Sequence, residues 1–201
     1  MNYYSIDPKD HRYDNYVFFE SDDDIGLVVR TQYSHLRCPV CKRMDTAKAL
    51  ELPCPAGVRI RGRHDLQQTH DGVYYCNSRT RQVLDDNGVS GIRYVQIPDQ
   101  SDYYLIVPTW KCPIDRSQPG FEFVPPQCSK CGRFTEVYRF SRLTAMTLPE
   151  DPLVVFTPEI SRESGSFTII TLLISEQVMK ILKAGRVSGI SFSKLAQTWP
   201  D

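Results

Sequence analysis

The sequence lacks three features that would assign a broad class directly. It has no net charge, because 24 Lys and Arg residues balance 24 Asp and Glu residues, so nothing in the overall charge favours nucleic acid or an anionic membrane as a partner. It has no apolar run long enough to cross a bilayer, since the longest, Phe167 to Ile174, is short and contains two threonines. Its first ten residues show no basic head before an apolar stretch. We therefore expect no secretory signal, no membrane partner and a cytoplasmic location.

Catalytic motifs are also missing. The chain contains no HExxH, no GxSxG, no GxxxxGK[ST] and no GxGxxG pattern, which removes the sequence signatures of zinc proteases, α/β-hydrolases, P-loop enzymes and dinucleotide-binding enzymes. None of the four histidines stands in a context typical of a nucleophile and its base. We expect a protein that is not an enzyme and has no small-molecule substrate.

The composition is that of an ordinary folded chain. At 201 residues with 41% apolar and 11% aromatic residues, it can build one good-sized core. β-branched and aromatic runs predict strands, at 16–19, 27–29, 73–76, 92–97, 103–107, 121–124, 134–140, 153–156 and 167–174. No proline-rich break is long enough for an interdomain linker. We predict a single α+β domain over 1–201, with mostly antiparallel strands.

Two segments resemble each other. Residues 78–94 and 175–192 each begin with a serine suited to cap a helix, run for about three turns, and reach a glycine, Gly88 or Gly185, suited to a left-handed helix end. Both continue with Val-Ser-Gly-Ile and a strand-like stretch. This pattern predicts two related helix–glycine–strand units. Such units are common, and a chance match of four residues is the alternative.

The seven cysteines carry the strongest signal. An odd number without an export signal favours reduced thiols over a disulfide framework. Four of them form two CxxC pairs, Cys38/Cys41 and Cys128/Cys131, and two such turns supply the four soft ligands that Zn²⁺ prefers. The 86 residues between the pairs exceed the roughly 12–20 of ordinary zinc fingers and ribbons. We therefore predict a zinc-ribbon-like clip of four cysteines that joins two distant segments, about 30–55 and 110–140, through a structural Zn²⁺. The alternative is that each pair is a separate redox site or is inert.

The other candidate ligands are weaker. Cys112 precedes a proline and is a possible substitute ligand, and His35 lies three residues before Cys38. Cys76 follows Val73-Tyr74-Tyr75 and is expected to pack as a small apolar residue.

Two charged segments are candidates for contact with a partner. One is the acidic run Asp22, Asp23 and Asp24, and the other is the alternating set Arg59, Arg61 and Arg63, whose period of two puts the three arginines on one side of an extended strand. The arginines could contact phosphate or an acidic protein. Plain hydration is the alternative for both segments.

Two CxxC pairs about ninety residues apart, the second reading Cys128-Ser129-Lys130-Cys131-Gly132, resemble the double-CXXCG motif proteins of myxobacteria. The ending from 172 to 192 is similar to the closing helix–strand unit of that group and of related immunity proteins of bacterial polymorphic toxin systems. The resemblance extends from before Cys38 to about Leu195. One position departs from the pattern, since Lys42 stands where the family has glycine.

The resemblance implies a non-catalytic immunity protein that binds and neutralises a cognate toxin. Charged patches would steer that association. A zinc-ribbon protein that binds nucleic acid or regulates is the alternative. The CxxC pairs and the arginines favour this alternative, while the zero net charge makes nucleic acid an unlikely partner.

Overall fold

The computed structural model describes residues 1–9, 17–18, 32–61, 64–115, 121–139, 146–158, 162–164 and 167–196. Within these ranges the fold is α+β with mostly antiparallel strands and few helices. The thirteen strands lie in three sheets.

The largest sheet has five strands in the order β13-β1-β12-β9-β6. Their bounds are β1 Tyr3–Pro8, β6 Trp110–Cys112, β9 Val155–Pro158, β12 Leu173–Ser175 and β13 Ile190–Lys194. The pairs β13-β1, β1-β12 and β12-β9 are antiparallel, whereas β9-β6 is parallel. Strands from early and late in the chain thus share one sheet.

A second sheet has the order β2-β3-β5-β4 and is antiparallel throughout. Its strands are β2 Leu66–Gln68, β3 Tyr74–Asn77, β4 Ile92–Ile97 and β5 Gln100–Pro108. The third sheet has the order β11-β10-β8-β7. Its strands are β7 Phe121–Gln127, β8 Phe134–Arg139, β10 Arg162–Ser164 and β11 Phe167–Ile169.

Three α-helices are described: α1 Thr46–Ala49, α2 Ser78–Asp86 and α3 Glu176–Ala184. A 3₁₀ turn covers Ser34–Leu36. The α3 helix begins as predicted, because the Ser175 hydroxyl accepts a hydrogen bond from the Val178 amide at 3.2 Å. The cap of α2 lies one residue earlier than predicted, and the Asn77 side chain, not Ser78, accepts from the Thr80 amide.

The helix ends follow the glycine prediction in one case only. Gly88 has the predicted left-handed φ of 67°, whereas Gly185 is right-handed at −70° and Arg186 takes the left-handed conformation at 52°. The Gly185 prediction is therefore wrong. Glycine at 185 allows a close approach between the two helices, since a Cβ there would lie 2.9 Å from Val83 Cγ1.

The main core lies between the sheets and the two longer helices. Its fully buried members include Tyr33, Tyr75, Leu105, Ile174 and Leu182. A smaller cluster surrounds Phe156, whose ring meets Tyr3 and Trp110 edge-on at centroid distances of 5.7 and 5.6 Å. Met44, at the end of the loop that carries the first cysteine pair, belongs to the main core.

Most predicted strands are present with small shifts in their ends, and 92–97 has the predicted bounds. The run 167–174 is two strands, β11 and β12, which belong to different sheets, so its prediction as one strand is wrong. The strand predicted at 27–29 lies outside the described residues, as does 16–19 apart from Val17 and Phe18. Among the described residues, no helix has the length and apolar character needed to cross a bilayer.

Candidate metal centre

Each CxxC pair forms the loop of a small hairpin. Before and after the first pair, Arg37 and Met44 form an antiparallel bridge. Before and after the second, Gln127 of β7 pairs with Phe134 of β8. Both pairs therefore lie between antiparallel partners, which form an isolated bridge at the first pair and belong to the third sheet at the second.

The two turns have the same backbone hydrogen bonds. In the first, the Cys38 amide donates to the Arg43 carbonyl and the Lys42 amide donates to the Cys38 carbonyl, each at 2.9 Å. In the second, the Cys128 amide donates to Arg133 at 2.7 Å and the Gly132 amide donates to Cys128 at 2.9 Å. Residues 37–44 and 127–134 are the first and second cysteine hairpins.

The residue after each pair is left-handed. Gly132 has a φ of 72°, and Lys42 has a φ of 62°. Lysine at 42 thus adopts the conformation for which glycine is suited, at a cost on the order of 1 kcal/mol. The departure from the CXXCG pattern leaves the turn unchanged.

The hairpins bring four sulfurs together. The Sγ atoms of Cys38 and Cys128 lie 3.8 Å apart, those of Cys41 and Cys131 lie 3.6 Å apart, and all four lie within 4.8 Å of one another. Four ligands about 2.3 Å from a tetrahedral Zn²⁺ would be about 3.8 Å apart. A disulfide needs about 2.05 Å, and all four cysteines are free. The donor set and its spacing fit a soft metal ion.

The electrostatics of the group also favour a bound cation. Hydrogen bonds from the backbone amides of Cys131 and Lys130 lower the pKa of Cys128 to about 6. An amide hydrogen bond in the first hairpin, from Cys41, lowers the pKa of Cys38. The pKa of Cys131 is raised to about 12, mainly by desolvation and also by its hydrogen bonds with the neighbouring sulfurs. The amides stabilise the first thiolates, and further thiolates need a positive charge beside them.

Two arginines join the hairpins independently of the sulfurs. The Arg43 guanidinium donates to the carbonyls of Phe134 and Thr135 beside the second hairpin. Arg133 donates to the Met44 carbonyl at 2.5 Å beside the first, and it lies 3.9 Å from the Asp45 carboxylate. Sequence reasoning missed this pair. The available signal was the arginine two residues after each second cysteine.

The weaker ligand candidates lie outside the group. Cys112 is fully buried and its thiol donates to the Thr147 carbonyl at 2.7 Å. His35 is exposed in the 3₁₀ turn, and neither residue belongs to the four-sulfur group. Cys76 is fully buried in the main core, as expected, and burial raises its pKa to about 12.

The charged candidates are described only in part. Arg59 and Arg61 are exposed. The acidic run Asp22, Asp23 and Asp24 lies outside the described residues, and so does Arg63. The structure therefore places two of these six side chains.

A cavity of about 370 Å³ lies beside α1 and the end of β5. Its charged lining residues are Glu51, Arg93 and Lys111, and none of its lining residues is a cysteine or histidine. Its polar lining also includes Thr46, Thr109 and Thr157.

A scan against protein-family models finds no match for this chain. A search of curated proteins also finds no match.

Proposed function

We propose that the chain is a non-catalytic immunity protein that binds and neutralises a cognate bacterial toxin in the cytoplasm, and that a structural Zn²⁺ holds its binding surface in shape. The observation that carries the structural half of this proposal is the group of four cysteine sulfurs within 4.8 Å of one another.

Zinc is the metal that suits this donor set best. Four thiolates in a tetrahedron are typical of structural zinc, and they leave no position for a water molecule. The ion would be held by Cys38, Cys41, Cys128 and Cys131. Its role would be to tie residues 37–44 to residues 127–134, segments that lie far apart in the chain.

The motif resemblance supports the choice of partner. The second pair keeps the full CXXCG pattern, and the first keeps its turn despite Lys42. A toxin-binding protein needs a rigid surface more than a reactive group. Arg59 and Arg61 are exposed, and together with Asp22, Asp23, Asp24 and Arg63 they are the proposed contacts with the toxin.

The direct test is to co-express the full chain with the product of the adjacent toxin gene. We expect a one-to-one complex by size-exclusion chromatography with light scattering, and survival of cells that carry both genes. Arg59→Glu with Arg61→Glu should weaken the complex roughly tenfold or more, whereas the exposed Lys194→Glu should leave it unchanged. If the zinc-loaded chain neither binds nor protects, the immunity function is wrong.

Nucleic-acid binding is the second candidate, because hairpins with CxxC turns occur in zinc ribbons. It predicts binding to single- or double-stranded DNA or RNA that weakens steeply between about 50 and 200 mM salt, because phosphate contacts release counterions. Salt-resistant binding to the toxin and no binding to nucleic acid would reject this candidate.

A further inference from the structure

One strand sequence occurs twice in the chain. Residues 2–8 read Asn-Tyr-Tyr-Ser-Ile-Asp-Pro, and residues 102–108 read Asp-Tyr-Tyr-Leu-Ile-Val-Pro. The two segments share both tyrosines, the isoleucine and the proline, and they form β1 and most of β5. A short match has meaning only if the strands also occupy equivalent places.

The strands β1 and β5 occupy equivalent positions in their sheets. β1 lies antiparallel between β12 and β13, and β5 lies antiparallel between β3 and β4. Each flanking pair is joined by a helix, α3 in the first case and α2 in the second. The pairing registers of β1 and β5 also agree. At the helix caps, Tyr3 pairs with Ser175 and Tyr103 pairs with Asn77. Further along the strands, the equivalent pairs are Ile6–Phe192 and Ile106–Tyr94, then Pro8–Ile190 and Pro108–Ile92.

The helix ends match as well. The Val89 amide donates to the Leu84 carbonyl at 3.0 Å, and the Val187 amide donates to the Leu182 carbonyl at 3.1 Å. Both bonds span five residues. The glycine of each Val-Ser-Gly-Ile segment is left-handed, with a φ of 78° at Gly91 and 91° at Gly189.

Contacts between the two halves are reciprocal. The Ser90 carbonyl accepts from the Val155 amide at 2.9 Å, and the Ser188 carbonyl accepts from the Leu66 amide at 3.2 Å. Each serine hydroxyl donates to an aspartate near the start of the facing strand, Ser90 to Asp151 at 2.9 Å and Ser188 to Asp65 at 2.8 Å. The arginines of the two cysteine hairpins cross in the same reciprocal way.

The two halves share a set of elements in the same order, while residues 3–97 also contain α1 and the 3₁₀ turn, and residues 100–194 also contain β6, β7, β8, β10 and β11. Residues 3–97 contain β1, the first cysteine hairpin, β2, β3, α2 and β4, and residues 100–194 contain β5, the second cysteine hairpin, β9, β12, α3 and β13. The first strand of each half lies in the sheet of the other half. Reciprocal contacts of this kind are those of a two-fold symmetric, strand-exchanged dimer.

We propose that the chain is two copies of one module of about 95 residues, fused in tandem. Each copy supplies an interior strand of the other copy's sheet, and each supplies one cysteine hairpin to the shared metal. The surface that receives β5 or β1 is thus a self-association surface, and its partner is a second copy of the same module. This proposal goes beyond toxin binding and does not depend on it.

Engineered disulfides in the full zinc-loaded chain test the exchange. Asp7 lies opposite Ser191, and Val107 lies opposite Arg93, and these two pairs are equivalent under the proposed symmetry. Directly opposed residues on antiparallel strands are close enough for a disulfide. We expect Asp7→Cys with Ser191→Cys, and Val107→Cys with Arg93→Cys, to form disulfides in most molecules, read by peptide mass spectrometry.

The matched control places the same four cysteines in the other combinations, so that each pair lies within one half of the chain. Asp7→Cys with Arg93→Cys, and Val107→Cys with Ser191→Cys, would cross-link only if each half kept its own first strand. Cross-linking of the control pairs, or its absence in both exchanged pairs, would overturn the proposal.

A second measurement needs no new cysteines. A protease site inserted between the exposed Pro98 and Asp99 lets the folded chain be cut between the halves. We expect the two pieces to co-elute even after chelation, because the exchanged strands still hold them together. Separation of the pieces in chelator without denaturant would show that the strands are not exchanged.

Discussion

Asp65 and Ser188 are joined by two hydrogen bonds to a single carboxylate oxygen. The Ser188 amide and hydroxyl donate to Asp65 Oδ2 at 2.9 and 2.8 Å. The Asn77 side-chain amide donates to Asp65 Oδ1 at 2.8 Å, and Arg79 Nη1 lies 3.4 Å from Asp65 Oδ2. This carboxylate therefore connects the strand β2 to the turn that follows α3.

These contacts predict how stability depends on pH. Desolvation raises the pKa of Asp65, but the hydrogen bonds from Ser188 and Asn77 outweigh it, and the net pKa lies below the ordinary 3.8. The unfolded chain therefore binds this proton first, so the contribution is present above about pH 4 and is lost as the pH falls through the folded pKa. Asp65→Asn should be less stable at pH 7 by about 1–2 kcal/mol, with a smaller difference near pH 3.

Urea titrations from pH 7 to pH 3 check this prediction. Asp86→Asn, at an exposed residue at the end of α2, is the control and should follow the parent chain. A constant difference between Asp65→Asn and the parent chain across this range would contradict it.

The zinc site should need all four of its sulfurs. Cys128→Ser should abolish stoichiometric zinc binding, because it removes one of the four thiolate ligands. Inductively coupled plasma mass spectrometry should give one zinc per parent chain and none for the variant. Cys54→Ala, at a buried cysteine outside the group, should keep its zinc. One zinc per chain in Cys128→Ser would refute the four-sulfur site.

Lys42→Gly should stabilise the chain. Lys42 has a φ of 62°, and a side chain in this region costs about 1 kcal/mol, partly offset by the greater flexibility of glycine in the unfolded state. We expect a gain of about 0.5 kcal/mol by denaturant titration. Lys42→Ala keeps the strained conformation and should give no gain, while Gly132→Ala should lose about 1 kcal/mol. Equal effects of the glycine and alanine variants at 42 would show that backbone strain is not the cause.

The crossed arginines should act without the metal. Arg43 donates to two carbonyls beside the second cysteine hairpin, and charged hydrogen bonds of this kind contribute about 1.5–3 kcal/mol each. Arg43→Ala and Arg133→Ala should each destabilise the metal-free chain by about 1 kcal/mol or more, measured in chelator. Arg43→Lys should restore only part of the loss, because one ammonium cannot copy the planar fork. Full rescue by lysine would mean that charge alone matters.

Local pattern predicted local structure well. The CxxC spacing identified all four sulfurs of the group, and the strand at 92–97 has its predicted bounds. Both results depend on residues within one turn or one strand. The prediction that Gly185 ends α3 in a left-handed conformation was wrong. Glycine is needed there because the backbone passes close to Val83, about a hundred residues earlier in the chain.

The features that sequence reasoning missed are long-range. The strand at Tyr3–Pro8 was not predicted, since its partners lie at 173–175 and 190–194. Its similarity to residues 102–108 becomes visible once both strands are seen between the two strands that a helix joins. Between the two strands of the run 167–174, the Ile170 amide donates to the Gly72 carbonyl, about a hundred residues earlier in the chain.

The placement of β1 has a consequence for synthesis on the ribosome. This strand emerges roughly 170 residues before its two neighbours in the sheet. During that interval its backbone donors and acceptors have no native partner, a state that favours mispairing and aggregation. We therefore expect a nascent chain of this topology to need shielding until β12 and β13 appear. Its final assembly is expected to be slow, because the decisive contacts join segments far apart along the polypeptide.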